Sequence, residues 1–164
     1  MNQLQEQVKV GIADVAIAKS SQALITSGLG SCVGIILYDE SLKIASMAHV
    51  MLPDSNMTRQ SHFKKGKFAD TGIDTCLNLL SEEGSQVFNM KAKMAGGAQM
   101  FKTTSSDKLN IGQKNVSAIE KKLSQLNIPI VAKDVGGHNG RSIEFDIETS
   151  QLKIRTVYQG VQYI

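Results

Sequence analysis

The size and composition of the chain are those of a single globular domain. It has 164 residues, 41% of them hydrophobic, which is enough for one core, so we expect one domain spanning residues 1–164. Its 18 basic and 15 acidic residues give a net charge of +3, and aromatic residues make up only 5% of the chain. This composition excludes a disordered or collagen-like chain and gives no indication of nucleic-acid binding.

The sequence carries no signal for export or membrane insertion. Residues 1–19 include Glu6 and Asp14 and lack the apolar run and cleavage site of a signal peptide. No apolar stretch approaches the roughly 20 residues that span a bilayer. Cys32 and Cys76 are the only cysteines, too few for a disulfide framework. We therefore expect a cytoplasmic protein with two reduced thiols.

The first third of the chain has the alternation of apolar and polar residues that is typical of β-strands. Strands are predicted at residues 8–17, with a break near residue 11 or 13, and at residues 23–26, 32–38 and 44–52. Turn-forming residues at 39–41 predict that the last two strands pair as a hairpin. The polar stretch 54–65 that follows is predicted to be a surface loop and a candidate lid.

Two segments have the periodicity of amphipathic helices. The first helix is predicted over residues 67–83, where Ile73, Leu77 and Leu80 lie on one face and Gly84 follows as the C-cap. The second is marked by apolar residues at 116, 119, 123 and 126 and ends before Pro129.

Further strands are predicted at residues 92–95, 130–135, 143–147 and 152–158. The strands follow one another as hairpins more often than as strand–helix–strand units. The predicted fold class is therefore α+β, a layered fold around a mostly antiparallel β-sheet with two main helices.

Glycines cluster beside predicted strand ends at residues 28–34, 96–97 and 136–140. Such clusters occur in tight turns and also where backbone N–H groups face a ligand, and both interpretations stay open. Cys32 lies where the first cluster meets a strand, a position suited to a nucleophilic thiol, although a small buried hydrophobe is the alternative. Cys76 lies among the apolar residues of the first predicted helix and is assigned to the core.

A nucleophilic cysteine needs a base, and the candidates are His49, His62 and His138. His49 belongs to the strand that is predicted to pair with the Cys32 strand. With a turn at 39–41, facing residues have numbers that sum to about 80, so Cys32 is predicted to face residue 48 or 49. The other two histidines are assigned to exposed loops. Thr26, at the end of a predicted strand, is one candidate for a third member of the site.

Seven stretches of the chain form a recognisable set. They are Thr26-Ser-Gly-Leu-Gly-Ser-Cys32-Val-Gly, Leu37-Tyr-Asp, Met47-Ala-His49-Val-Met-Leu-Pro53, Lys67-Phe-Ala-Asp-Thr71, Gly96-Gly-Ala-Gln-Met-Phe101, Ile111-Gly-x-x-Asn115 and Asp134-Val-Gly-Gly-His-Asn-Gly-Arg141. In this order they resemble the CheD family of bacterial chemoreceptor glutamine deamidases. The resemblance extends from about residue 8 to the C-terminus, and the stretch around Cys32 is its most specific part.

This resemblance implies a Cys-His-Thr site on a fold like that of the glutamine-deamidating toxin catalytic domains. Cys32 would be the nucleophile, His49 the general base and Thr26 the third member. The implied reaction hydrolyses glutamine side-chain amides of methyl-accepting chemoreceptors to glutamate and ammonia. The backbone N–H groups of Ser31 and Cys32 are the candidate donors to the oxyanion, and no metal or organic cofactor is expected.

The resemblance also implies a second partner, a CheC-type phosphatase of the response regulator. Met100 and Phe101 are predicted to form part of that surface because they follow a glycine turn as adjacent apolar side chains, and packing into the core is the alternative. Neither nucleic-acid binding nor membrane insertion is expected. The alternative functions are a non-enzymatic adaptor that activates the phosphatase, and a thiol protease or transglutaminase. A methylesterase side activity would use the same chemistry on an ester.

Overall fold

Two helices cover one face of a β-sheet, and the other face of that sheet packs against a second sheet. This architecture is seen in a computed structural model, which describes residues 5–100 and 110–164. One apolar cluster fills the space between the helices and their sheet, and a second cluster fills the space between the two sheets. The chain therefore forms three layers with two cores.

Within the described residues there are ten strands and two α-helices. In chain order they are β1 (Glu6–Lys9), β2 (Val15–Lys19), β3 (Gln22–Leu29), β4 (Val33–Asp39), β5 (Ile44–Val50), α1 (Ala69–Glu82), β6 (Lys91–Gly96), α2 (Ile111–Gln125), β7 (Ile130–Val135), β8 (Arg141–Asp146), β9 (Leu152–Thr156) and β10 (Gly160–Tyr163). Short 3-10 turns lie at Ser55–Met57, Lys65–Lys67 and Val87–Asn89.

The outer sheet has the strand order β1-β3-β8-β9-β10, and the central sheet has the order β2-β5-β4-β6-β7. One pair in each sheet is parallel, β1 with β3 and β6 with β7, and the other pairs are antiparallel. The α+β class and the two main helices are thus confirmed. The likeness to toxin domains and the single-domain boundary 1–164 stay predictions.

The prediction of one sheet has to be corrected to two, because the central strands bury both of their faces. All seven residues of β4 and all seven of β5 are buried. Ile35 and Ala48 face the helices, whereas Ile36 and Met47 face the outer sheet. A strand with two apolar faces needs a layer on each side, and the outer sheet provides the second layer.

Several boundaries also differ from the prediction. The strand predicted at 8–17 is two strands in different sheets, separated by a crossover in which Ala13 has a φ of 67°. Helix α1 starts two residues later than predicted because a 3-10 turn occupies Lys65–Lys67. Strand β10 was not predicted, since its four residues are all exposed and carry no burial pattern.

Candidate active site

A buried hydrogen bond joins the two sheets at the candidate site. Thr26 on β3 belongs to the outer sheet, and His49 on β5 belongs to the central sheet. The Thr26 Oγ1 atom lies 2.7 Å from His49 Nδ1 and 2.7 Å from the carbonyl oxygen of Val10. His49 is fully buried, and Thr26 is 6% exposed. Both side chains are therefore held out of solvent in the layer between the sheets.

The Val10 carbonyl decides which atom donates in this hydrogen-bonded chain. A carbonyl oxygen can only accept, so the Thr26 hydroxyl donates its one proton to Val10. The hydroxyl oxygen must then accept from His49 Nδ1–H. A neutral imidazole protonated on Nδ1 has its lone pair on Nε2. His49 Nε2 is buried and has no hydrogen-bond partner among the described residues, so this nitrogen is the basic one.

Burial lowers the pKa of His49 below its usual value, and the nearby Asp14 carboxylate opposes that effect. Protonating His49 would place a positive charge in the buried layer between the sheets, which burial disfavours. The resting side chain at neutral pH is therefore a neutral imidazole, which is the form that a general base requires.

The β4–β5 hairpin is confirmed, but its predicted register is wrong. Gly34 faces His49 and Val33 faces Val50, so facing residues sum to 83. The difference arises because the connection is the four-residue segment 40–43, with Lys43 at a φ of 54°. Continuing this register places Cys32 opposite Met51, with His49 as its diagonal neighbour on the same face.

The Cys32 thiol lies at the edge of the core between the sheets and remains partly exposed. Burial raises its pKa above the usual value, and its own backbone N–H, directed at the sulfur, acts in the opposite direction. The resting pair is therefore a neutral thiol and a neutral imidazole. Cys76 differs, since it is fully buried beneath α1 and burial raises its pKa to about 12, as expected for a core residue.

Three successive carbonyl groups of the Cys32 turn are bound by the rest of the protein. Ala98 N–H donates to Gly30 over 2.8 Å, and Gly97 N–H donates to Cys32 over 2.9 Å. Between them, the Ser31 carbonyl accepts from the side chain of Asn115 at 3.0 Å. Within the described part of the chain, the N–H groups of Ser31 and Cys32 donate to no other residue. Their role as oxyanion donors stays a prediction.

Asn115 is a polar residue of this site whose role sequence reasoning missed. It lies on α2, is fully buried, and its Nδ2 also donates to the Met51 carbonyl at 3.0 Å. The motif Ile111-Gly-x-x-Asn115 carried the resemblance, but its spacing does not indicate which part of the fold Asn115 touches. Only the packing of α2 against the ends of β4 and β5 brings it there.

The remaining predicted residues take no part in the hydrogen bonds that join Val10, Thr26 and His49. His62 and His138 are exposed, as expected, and His138 Nδ1 donates to the Gln99 carbonyl at 3.0 Å. Met100 is 48% exposed, so it does not pack into the core, and its Cγ lies 3.1 Å from where a Cβ on Gly30 would be. Phe101 lies outside the described residues.

The predicted loop at 54–65 is confirmed as a mostly exposed connection that contains the 3-10 turn Ser55–Met57 and ends on the first residue of the turn Lys65–Lys67. It is anchored at its end by Phe63, whose ring packs edge-on against Phe68 at 5.0 Å, and by Lys64, whose Nζ lies 3.3 Å from the Asp14 carboxylate. Its role as a lid stays a prediction.

No group of three metal-binding side chains occurs among residues 5–100 and 110–164. In the same ranges, none of the helices combines the length and the apolar character needed to cross a membrane.

Comparison with known proteins assigns the chain to a family. A family model described as CheD chemotactic sensory transduction matches residues 51–156. A protein of Halalkalibacterium halodurans named chemoreceptor glutamine deamidase CheD is 51% identical over 98% of this chain and 100% of its own length. The chain belongs to the CheD family. A Bacillus subtilis CheD protein of the same name is 49% identical over 96% of this chain and 95% of its own length.

The match to these CheD proteins extends over almost the whole chain, so it includes both sheets and both helices. The segment around Cys32 lies before the part matched by the family model but inside the aligned relatives. Family membership is therefore established by the family model and the nearly full-length sequence similarity together.

Proposed function

We propose that this chain hydrolyses the side-chain amide of glutamine residues in methyl-accepting chemoreceptors, releasing ammonia and leaving glutamate. The observation that carries the proposal is the buried series of hydrogen bonds from the Val10 carbonyl through Thr26 to His49. It leaves His49 Nε2 as a base with no hydrogen-bond partner among the described residues. Cys32 lies on the same face of the central sheet as His49 and is partly exposed to an incoming substrate. The relatives named chemoreceptor glutamine deamidase support this substrate class.

The reaction begins with a proton transfer, because burial keeps the Cys32 thiol protonated. His49 Nε2 takes the proton as the sulfur attacks the carboxamide carbon. The resulting oxyanion accepts from the N–H groups of Ser31 and Cys32. Removal of one such donor in other enzymes costs about 3 kcal/mol of transition-state stabilisation, so these two groups are a major part of the proposed catalysis.

The second half returns the proton and releases the product. His49, now protonated, donates to the departing ammonia as the carbon–nitrogen bond breaks, which leaves a thioester on Cys32. His49 then takes a proton from water, and the resulting hydroxide attacks the thioester carbon. The carbon–sulfur bond breaks, glutamate leaves, and His49 returns the proton to the Cys32 sulfur. Thr26 holds the ring throughout by accepting from Nδ1–H, without adding a charge to the buried site.

The test is mass spectrometry of a purified receptor cytoplasmic fragment incubated with the protein. Amide hydrolysis raises the mass of a glutamine by about 1 Da and releases one ammonia. The expected result is this shift with wild type and with Cys76→Ala, and its loss with Cys32→Ala. Cys76→Ala is the matched control because it removes the buried core thiol and leaves the site untouched.

Other outcomes would reject or extend the proposal. Backbone cleavage would indicate a thiol protease. Incorporation of an amine in place of glutamate formation, with ammonia released in both cases, would indicate a transglutaminase. Release of methanol from a methylated receptor would add a methylesterase activity of the same site. No shift from wild type on a fragment that carries amidated glutamines would favour the non-enzymatic adaptor.

We further propose that the chain acts in the cytoplasm and also binds a CheC-type phosphatase through the surface around Met100. Met100 is exposed and lies against Gly30, so a protein seated on it would cover the Cys32 turn and exclude a receptor helix. Met100→Glu is expected to weaken phosphatase binding by at least about tenfold. Met57→Glu is the control, since Met57 is also exposed but lies on the 54–65 loop. Equal binding by both variants would contradict this surface.

A further inference from the structure

The pairing of β4 with β5 ends just before the Cys32 turn, and the side chain of Asn115 lies where the next facing pair of residues would be. Val33 and Val50 are the last facing pair. The Met51 N–H donates to the Lys67 carbonyl at 2.9 Å and not across the hairpin. Asn115 Nδ2 instead bridges the Ser31 and Met51 carbonyls at 3.0 Å each. One side chain therefore joins the nucleophile's turn to the strand that carries His49.

The orientation of the Asn115 amide follows from the groups it faces. Only the NH2 group can donate to two carbonyl acceptors, and a reversed amide would place its oxygen against both of them. Asn115 Oδ1 is buried and has no partner among the described residues. A leucine of similar size would leave no such unpaired acceptor in the core, so the presence of asparagine points to a need for the two donated hydrogen bonds.

The bond to Ser31 also sets the direction of the next N–H group. Ser31 C=O and Cys32 N–H belong to one planar trans peptide unit, in which the two groups point in opposite directions. With the carbonyl held by Asn115 inside the protein, the Cys32 N–H is turned away from α2. The Ala98 bond to the Gly30 carbonyl acts in the same way on the Ser31 N–H.

We propose that Asn115 is a positioning residue that aims the Cys32 N–H at the oxyanion formed when Cys32 attacks a carbonyl compound. This inference rests on the proposed function for its natural substrate, but its chemistry requires only acyl transfer to Cys32. Asn115 touches neither the thiol nor His49 in the hydrogen bonds described. Its effect passes through the Ser31–Cys32 peptide.

The test compares two reactions of the same thiol in the full-length protein. With p-nitrophenyl acetate, the Cys32 sulfur bonds to the acetyl carbon through an oxyanion, p-nitrophenolate leaves and His49 takes the thiol proton. With iodoacetamide, the sulfur displaces iodide and no oxyanion forms. Intact-mass measurement gives both rates, and their ratio reports on oxyanion stabilisation alone. Cys76 does not compete because it is fully buried.

Asn115→Leu and Asn115→Ala are each compared with wild type and with Asn110→Ala. Asn110 is the N-cap of the same helix, so its variant weakens α2 without touching Ser31 or Met51. Two variants of different size are used because either could pack poorly, and thermal unfolding identifies those that remain folded. We expect the acylation-to-alkylation ratio to fall about tenfold or more in both Asn115 variants and to stay unchanged in Asn110→Ala.

An acylation-to-alkylation ratio that stays unchanged in a folded Asn115 variant would overturn the inference. If both rates fell by the same factor, the ratio would also stay unchanged, and the role of Asn115 would be purely structural. A wild-type acylation rate no greater than that of free cysteine would also overturn it. Ammonia release from a receptor fragment is measured separately. Its absence in wild type, together with the expected ratios, would count against the proposed substrate and still support the role of Asn115.

Discussion

Thr26 and His49 are 23 residues apart in the sequence, lie on different sheets, and are joined by a 2.7 Å hydrogen bond. The bond makes the alignment of the two sheets a requirement for the orientation of the candidate base. Because the Val10 carbonyl takes the Thr26 proton, the hydroxyl can only accept from the imidazole, and the tautomer of His49 follows.

Replacing Thr26 with valine is expected to lower deamidation by about 10-fold to 100-fold, because the His49 ring loses the acceptor that holds its tautomer. The rate of ammonia release from a receptor fragment measures the effect. Thr26→Ser keeps the hydroxyl and is expected to retain most of the activity. Equal activity of the valine and serine variants would show that the hydrogen bond does not support catalysis.

Stability is expected to fall as the pH is lowered, because burial lowers the pKa of folded His49 below its usual value of 6.5. Below that pH the unfolded chain binds more protons at this residue than the folded chain does, so the free energy of unfolding decreases. The melting temperature between about pH 7.5 and pH 5.5 measures this effect. The decrease is expected to be smaller in His49→Gln and unchanged in His62→Gln, in which an exposed loop histidine is replaced.

Alkylation of Cys32 by iodoacetamide is expected to be slow at neutral pH and to accelerate as the pH rises. Burial raises the pKa of this thiol above 9.0, so little thiolate is present near neutrality. The rate of mass increase at a series of pH values gives the profile. A fast, pH-independent reaction near neutrality would instead indicate a preformed thiolate–imidazolium pair.

Gly96→Ala is expected to abolish activity and to lower the free energy of unfolding by about 2–4 kcal/mol. Gly96 has a φ of 119°, and a Cβ there would overlap the Cys32 carbonyl oxygen, which would push the nucleophile's turn out of place. Chemical denaturation and the ammonia assay measure the two effects.

Gly84→Ala is the matched control for that substitution. Gly84 also has a positive φ, 95°, but nothing lies within 4 Å of the position of its Cβ. We expect backbone strain of about 1–2 kcal/mol and unchanged activity. If Gly96→Ala behaved in the same way, the close approach to Cys32 would have no functional role.

Local patterns predicted much of the fold and the candidate nucleophile. Apolar alternation identified the hairpin of β4 and β5, and helical periodicity identified α1 and α2. These predictions succeeded because such patterns depend on neighbours within a few residues. The same patterns could not predict how many sheets the strands form, since an apolar strand such as β4 is compatible with one covering layer or with two.

The sequence by itself determined which residue types are available and in what order: a glycine-rich turn before Cys32, one histidine on the adjacent strand, and the stretches that resemble the CheD family. The tertiary structure decided how they meet. The four-residue connection at 40–43 set the register that makes Gly34, and not Cys32, face His49. The packing of the outer sheet brought Thr26 to the ring, and the packing of α2 brought Asn115 to Ser31. These contacts join residues distant in the chain, and their geometry depends on turn length and layer packing, which no local pattern encodes.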